Sequence, residues 1–227
     1  MGTVFFDLFD TLVTQEHPDR PAQQVFADRL GIPLDGARAW WKETVRDRMA
    51  GVFPTYEETL RQMVTSLGAV VDEAVVADIC RDRFADKRSY LVDIDAEVLD
   101  LLAYLKQTGW TVAIVSNATP DELVFWEDCP IAPMVDDAVF SCRVGAMKPE
   151  PEIYLLACER LGVVADEVVF VGDGGFNELP GAAAVGMQAV QARWYRDREV
   201  AWDLEAELPG AARIEELLPL IERAVRK

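Results

Sequence analysis

Residues 4 to 13 read Val-Phe-Phe-Asp-Leu-Phe-Asp-Thr-Leu-Val, and this stretch decides the fold. An apolar run that ends in an acid and is followed by a short polar turn is typical of a buried strand in a parallel sheet. Such a strand delivers its last polar side chain to the carboxyl edge of the sheet. The sequence therefore predicts that Asp7 lies at this edge, with Phe9 two residues beyond it.

Four helical patterns follow in residues 20 to 86, and no strand pattern interrupts them. Each has one apolar stripe, and Thr55 and Glu58 have capping-box spacing at the start of the third. Helices with a single apolar stripe bury it against one another. We therefore expect residues 16–87 to form an inserted helical unit, with residues 1–15 and 88–227 forming the other domain.

From residue 95 onward, helix and strand patterns alternate, as is typical of parallel α/β architecture. Strands are predicted near residues 110–115, 138–140, 168–171 and 187–190, and one of the helices between them is predicted through Leu123 and Trp126. The predicted fold class is α/β, a Rossmann-like parallel sheet with an inserted α-helical unit.

Chemically capable side chains stand at the ends of three predicted strands, namely Asp7, Ser116 with Asn117, and Asp173. Because the carboxyl ends of parallel strands face one crevice, we expect these residues to meet. Lys148 lies between Asn117 and Asp173 in the sequence, in a loop that two prolines stiffen.

This set of side chains predicts phosphoryl-transfer chemistry. Carboxylates without His or Cys partners suit Mg²⁺, which completes its octahedron with water and substrate phosphate. Lys148 can neutralise a phosphate or an attacking carboxylate, and Ser116 can bind oxyanions together with the N–H groups that begin the next helix. An Asp beside a metal can itself be the nucleophile, so the pattern indicates an aspartyl-phosphate intermediate.

Composition excludes several other classes of function. A net charge of −18 argues against a nucleic-acid partner, and four scattered cysteines with a single histidine leave little material for a zinc site. No apolar run reaches the ~20 residues that span a bilayer. The first run is broken by Asp7 and Asp10, unlike a secretory signal. We expect a cytoplasmic protein with reduced thiols, a small-molecule substrate and no membrane partner.

Four motifs in this order resemble those of the haloacid dehalogenase-like (HAD) hydrolase superfamily. They are Asp-Leu-Phe-Asp-Thr-Leu-Val at 7–13, Val-Ser-Asn at 115–117, Gly-Ala-Met-Lys-Pro-Glu-Pro-Glu-Ile-Tyr at 145–154 and Phe-Val-Gly-Asp-Gly-Gly-Phe-Asn-Glu-Leu at 170–179. The resemblance spans the chain. It implies a Rossmann-like core, and the helical block resembles the C1-type cap that closes over the site and shapes substrate choice.

The resemblance also implies a role for each motif residue. Asp7, with Thr11 four residues on, would be the nucleophile and a Mg²⁺ ligand. Ser116 would bind the transferring phosphoryl group with help from Asn117, and Lys148 would orient and neutralise Asp7. The remaining metal site would consist of Asp173 and the backbone carbonyl of Phe9, with Glu178 acting through water or on Lys148.

Phe9 departs from the family pattern. Family phosphatases usually have a second Asp at this position, which protonates the leaving oxygen and then activates water. Acid–base help of this kind contributes about 10² to 10⁴ in rate. Asp10 is a substitute only if the chain turns directly after Phe9, because successive strand residues point to opposite faces.

A non-acidic, often aromatic residue at this position also resembles the 2-haloacid dehalogenases, which work without metal and tend to have Ser in place of Asp173. We favour a Mg²⁺-dependent phosphatase of a small phosphorylated metabolite. Without a metal, the cluster of Asp7, Asp173 and Glu178 would have only Lys148 as counter-charge. A metal-independent dehalogenase and a catalytically weak, ligand-binding HAD member are the alternatives.

The helical unit carries candidate substrate contacts. Arg46 or Arg48 could meet a second anionic group, although solvated helix faces are the commoner place for arginine. His17, near the predicted hinge, is expected to face solvent. Four aromatic residues could line a pocket, or form bundle core: Trp40, Trp41, Phe53 and Tyr56.

Overall fold

The computed structural model describes residues 2–14, 23–195 and 208–225. Its centre is a six-stranded parallel sheet with the strand order β3-β2-β1-β4-β5-β6. The sheet confirms the predicted α/β, Rossmann-like core. In chain order the strands are β1 Thr3–Phe6, β2 Thr111–Ser116, β3 Asp137–Phe140, β4 Val168–Gly172, β5 Gln188–Ala192 and β6 Gly210–Ala211.

Helices connect and cover these strands. Five lie between β1 and the rest of the core: α1 Gln23–Leu30, α2 Leu34–Glu43, α3 Val45–Met49, α4 Tyr56–Ser66 and α5 Glu73–Val92. The others are α6 Ala96–Gln107, α7 Ser141–Val144, α8 Pro151–Leu161, α9 Glu178–Ala184 and α10 Leu217–Val225. Within the described part of the chain, no helix combines the length and apolarity needed to cross a bilayer.

Both faces of the sheet are covered, which explains the continuous apolar runs of its strands. In β1, Val4 and Phe6 face one layer, which includes α6 and α10, and Phe5 faces the other, which includes α8 and α9. All three side chains are fully buried. Strand β1 lies inside the sheet, between β2 and β4, so the residue that follows it lies in the middle of the carboxyl edge.

Helices α1, α2, α4 and α5 have an apolar cluster of their own, apart from the two clusters that cover the sheet. Its members include Leu60 and Met63 of α4 and Val76 and Ile79 of α5. Helix α5 continues past the predicted boundary at residue 87 as far as Val92. The division of the chain at residues 15 and 87 stays a prediction, and His17 lies outside the described residues.

The predicted helix through Leu123 and Trp126 is wrong. This segment contains three short 3₁₀ turns, Pro120–Leu123, Trp126–Asp128 and Ala132–Met134. Prolines at 120, 130 and 133 interrupt the segment. Because proline lacks an N–H donor and clashes with the preceding turn, a continuous α-helix cannot form across them.

Candidate active site

The carboxyl ends of three neighbouring strands form the site. Strand β1 pairs with β2 on one side and with β4 on the other, so Asp7, Ser116 and Asp173 follow adjacent strands. The Asp7 N–H donates to the Val171 carbonyl at 2.8 Å, which extends the β1–β4 ladder as far as the acid. Strand order reverses at this point of the sheet, where ligands bind in open α/β folds.

Asp7 is 6% exposed and is held by two donors on one oxygen. The Ser116 hydroxyl donates to Oδ1 at 2.8 Å, and Lys148 Nζ donates to the same atom at 2.5 Å. Among the described residues nothing donates to Oδ2. The carboxylate is therefore fixed through one oxygen while the other stays available to a ligand.

Lys148 links two carboxylates in the interior. Its ammonium group also donates to Glu178 Oε2, and its side chain is 2% exposed. Burial alone would lower the pKa of Lys148, but the charges of Asp7 and Glu178 raise it overall. Lys148 is therefore a permanent cation beside Asp7.

Asn117 positions Lys148 through the backbone. Its Nδ2 donates to the Lys148 carbonyl at 3.0 Å, and its Oδ1 accepts from the Lys148 N–H at 2.8 Å. This two-bond clamp joins the end of β2 to the lysine loop. The predicted contact of Asn117 with phosphate stays a prediction.

Glu178, at the start of α9, is deeply buried and has three local supports. Oε1 accepts from the Gly174 N–H at 2.9 Å, Oε2 accepts from Lys148, and the Tyr154 hydroxyl donates to the Glu178 carbonyl at 2.8 Å. Burial raises the pKa of Glu178 to about 8, with a further contribution from the charge of Asp7 and against the charge of Lys148.

Sequence reasoning missed the roles of Gly172 and Tyr154. A Cβ atom on Gly172 would lie 2.1 Å from Glu178 Oε1, so only glycine leaves room for this carboxylate. Both residues stand inside the quoted motifs. The signal that could have indicated Gly172 was its place between a buried strand and an acid, where a close approach of other groups favours glycine.

Three carboxylates meet at the edge of the sheet. One oxygen each from Asp7, Asp173 and Glu178 lie within 4.8 Å of one another. An all-oxygen cluster of this kind fits a hard divalent cation. Glu178, expected to act from further away, is placed in the same cluster as the two predicted ligands.

The chain turns directly after Phe9, as a role for Asp10 would require. Asp10 has φ of 57° and is exposed, and the N–H groups of Leu12 and Val13 both donate to the Leu8 carbonyl at 2.8 and 2.9 Å. Phe9 is partly buried against the core. The metal contact of the Phe9 carbonyl and the acid–base role of Asp10 stay predictions.

Ion pairs join helix α5 to the loop that follows β2. Arg83 donates to Asp121 at 2.8 Å and Lys87 to Glu122 at 3.1 Å, and Lys87 is 3% exposed. Sequence reasoning missed these residues. The spacing of Arg83 and Lys87 could have indicated them, because residues four apart share a helix face. Since this face also carries apolar residues, both cations point towards a packed surface.

The candidate contacts of the helical unit take different positions. Trp40 packs against Phe53 with ring centroids 5.7 Å apart, whereas Trp41 and Tyr56 line cavities. Arg46 is exposed and pairs with Glu150 at 2.6 Å. Arg48 is buried, at 7% exposure, against the expectation that it lies on a solvated face.

Curated relatives of the chain include phosphatases and dehalogenases. Glyceraldehyde 3-phosphate phosphatase of Pyrococcus furiosus is 25% identical over an alignment 227 positions long, which covers 96% of this chain and 91% of the relative. (S)-2-haloacid dehalogenase 4A of Burkholderia cepacia is 25% identical over 175 residues, 73% of each protein. Bifunctional epoxide hydrolase 2 of Rattus norvegicus is 30% identical over 62% of this chain, which spans only 25% of that relative.

Solved structures share the fold. A HAD family enzyme of Bacteroides thetaiotaomicron, in complex with magnesium and inorganic phosphate, has a TM-score of 0.59 at 20% identity, covering 88% of this chain and 98% of its own. The 2-haloacid dehalogenase of Pseudomonas syringae pv. tomato DC3000 has a TM-score of 0.62 at 22% identity, covering 98% of both chains.

A sequence model of the haloacid dehalogenase-like hydrolases matches residues 1–186, which include all four motifs. The match spans strands β1, β2 and β4, at whose carboxyl ends the site lies. The chain therefore belongs to the haloacid dehalogenase-like hydrolase family.

Proposed function

We propose that the protein is a Mg²⁺-dependent phosphatase of a small phosphorylated metabolite. The observation that carries this proposal is the cluster of Asp7, Asp173 and Glu178, in which Asp7 and Glu178 are buried and pair with Lys148. Buried carboxylates need compensation by charge or protons. A divalent cation supplies that compensation, and Asp7 and Asp173 would hold it with Glu178 beside them.

The side chains of the site can perform phosphoryl transfer in two steps. The Asp7 carboxylate attacks phosphorus, the bond from phosphorus to the ester oxygen breaks, and a phosphoaspartate forms. The departing oxygen takes a proton from water and leaves as the alcohol, and the resulting hydroxide attacks phosphorus, releases inorganic phosphate and restores the Asp7 carboxylate. Lys148 and Ser116 keep the carboxylate oriented, and a bound Mg²⁺ would neutralise negative charge on the phosphoryl group.

Two comparisons support this proposal. The glyceraldehyde 3-phosphate phosphatase of Pyrococcus furiosus aligns with almost the whole chain. The Bacteroides thetaiotaomicron enzyme, which shares the fold, binds magnesium and phosphate in its crystal structure.

Phe9 favours a second candidate function, that of a 2-haloacid dehalogenase. In that reaction Asp7 would attack carbon and displace a halide ion, a leaving group that needs no proton. An acidic residue in place of Phe9 would then be unnecessary. Dehalogenases are also among the relatives. The acidic pair of Asp173 and Glu178 has no evident use in this reaction, which places it second.

Metal dependence separates the two functions. We expect the purified protein to hydrolyse p-nitrophenyl phosphate with Mg²⁺ and to lose this activity with EDTA. Release of chloride from 2-chloropropionate in EDTA, without phosphatase activity, would contradict the proposal. The variant Asp7→Asn, prepared in parallel, excludes a contaminating phosphatase as the source of activity.

We further propose that residues 16–87, which include helices α1 to α4 and most of α5, act as a cap over the site and that the protein works in the cytoplasm. The cap proposal rests on their separate apolar cluster and on the ion pairs from α5 to the loop after β2. The cytoplasmic proposal rests on Cys80, Cys129, Cys142 and Cys158, which are all free thiols.

A further inference from the structure

A cavity of about 440 Å³ lies where α3 and α5 face the loop that follows β2. Its lining includes Trp41, Arg48, Arg83, Lys87 and Glu122. The cavity lies close to the site, because Thr119 in its wall is three residues beyond Ser116. In addition, Lys87 Nζ lies 5.9 Å from the centre of the Phe9 ring.

The charges around this cavity do not balance among the described residues. Arg83 is paired with Asp121 and Lys87 with Glu122, which leaves Arg48 without an ion-pair partner in the described part of the chain. Lys42, which is exposed, also lines the cavity, so four cations face two carboxylates. A cavity with one excess buried positive charge favours an anionic occupant.

Arg48 is held in place, but one of its hydrogen-bond donors has no partner among the described residues. Its Nη2 donates to the Trp41 carbonyl at 2.8 Å, and its guanidinium stacks 3.9 Å from the centre of the Trp41 ring. Its Nε is buried and has no hydrogen-bond partner among the described residues. Because an unpartnered buried donor is costly, this Nε in the wall of the cavity indicates a ligand.

We propose that Arg48 binds a carboxylate that the substrate carries away from its reacting group. The planar guanidinium matches a carboxylate with two parallel hydrogen bonds, and Nε is the donor that lacks a partner. Lys87 and Arg83 add positive potential in the same wall. This inference deepens the proposed function, since it makes the substrate a phosphorylated carboxylic acid.

Kinetics with a matched pair of phosphate esters test the proposal. 3-Phosphoglycerate carries the second anion, and glycerol 3-phosphate replaces it by a neutral alcohol. We expect Arg48→Met to raise KM for 3-phosphoglycerate about tenfold to a hundredfold and to change KM for glycerol 3-phosphate by less than about twofold. Arg81→Met, on an outward face of α5 with 72% exposure, is the control and should change neither KM.

A second pair of measurements separates this inference from the phosphatase proposal. Wild-type protein should bind succinate in a calorimetric titration, and Arg48→Met should not, whether or not phosphate esters are hydrolysed. The unliganded Tm of Arg48→Met should not fall, because the substitution removes an unsatisfied buried charge. Arg48→Gln repeats both measurements in case the Met variant does not fold.

Three results would overturn the proposal. Equal KM changes for both esters would show that Arg48 has a structural role. Absence of saturable succinate binding by the wild-type protein would exclude a carboxylate site. An Arg48-dependent preference for propane-1,3-diyl bisphosphate over 3-phosphoglycerate would show that the cavity takes a second phosphate instead.

Discussion

The two oxygens of Asp7 have different surroundings, and this difference makes Asp7 the residue on which activity should depend most. Oδ1 accepts from Ser116 and Lys148, and Oδ2 is the oxygen that remains for attack. In Asp7→Asn the neutral amide is a poor nucleophile, so we expect kcat to fall by about 10⁴-fold or more. Steady-state kinetics measure this loss.

Circular dichroism and thermal melting are the controls for Asp7→Asn. The amide keeps the shape of the carboxylate and its bond to Ser116, so the fold should persist. A folded variant with wild-type turnover would rule out Asp7 as the nucleophile.

Phe9 stands where an acid would protonate the leaving group. If the missing acid limits turnover, Phe9→Asp should raise kcat for p-nitrophenyl phosphate and for alkyl phosphates, with a larger gain of up to about 10²-fold for the alkyl esters. Alkyl alcohols are poorer leaving groups and depend more on protonation.

Phe9→Asn is the matched control for Phe9→Asp, because it has nearly the same size but no acid. The two variants should differ only in the acid-dependent gain. If neither variant gains activity while Mg²⁺ still binds, the natural leaving group needs no protonation or another side chain supplies the proton.

At the scale of elements, the turn from β4 into α9 determines where the Glu178 carboxylate lies. In Gly172→Ala the new Cβ would meet Glu178 Oε1 at 2.1 Å, so the carboxylate must leave Gly174 N–H or Lys148. We expect the Mg²⁺ concentration that gives half-maximal activity to rise at least tenfold. A loss of about 1.4 kcal/mol of interaction energy corresponds to a factor of ten in affinity. Activity titrations with Mg²⁺ measure it.

Gly162→Ala serves as the control for that substitution. A Cβ at residue 162 meets no atom within 4 Å, but its φ of 66° makes alanine unfavourable by about 1 to 2 kcal/mol. This variant should lose stability, but the Mg²⁺ concentration that gives half-maximal activity should not change. The same response in both variants would attribute the effect of Gly172→Ala to general destabilisation.

The elements of the sheet could be predicted because they follow from local pattern. Strand β1 was legible as an apolar run, and the Thr55 side chain accepts from the Glu58 N–H at 3.2 Å, as the capping spacing predicts. The segment after β2 could not be predicted in this way. Its apolar residues have helical spacing, but its three prolines prevent a continuous helix. The sequence leaves Arg48 either as a contact for a second anionic group or on a solvated face, because nothing local shows that the five-residue helix α3 turns it onto Trp41.

For the whole molecule, the meeting of distant residues could be predicted where it depends only on topology. Asp7, Ser116 and Asp173 meet because parallel strands end at one edge, whatever the details of the side chains. The clamp of Asn117 on Lys148 joins residues 31 positions apart through the path of a loop, which periodicity does not encode. The cavity wall formed by α3, α5 and the loop after β2 was hidden for the same reason.

Because Mg²⁺ would compensate an acidic cluster that forms only in the folded chain, it should raise the stability of the whole molecule. A ligand at about 100 times its Kd stabilises the native state by about 2.7 kcal/mol. For a chain of this size, that predicts a rise in Tm of about 5 to 10 °C relative to EDTA. Differential scanning calorimetry measures the shift, with NaCl at equal ionic strength as the control for screening.

Asp173→Asn removes one carboxylate of the cluster and should reduce the shift to less than about 2 °C. An equal rise in NaCl, or an undiminished rise in Asp173→Asn, would mean that Mg²⁺ does not bind at this cluster.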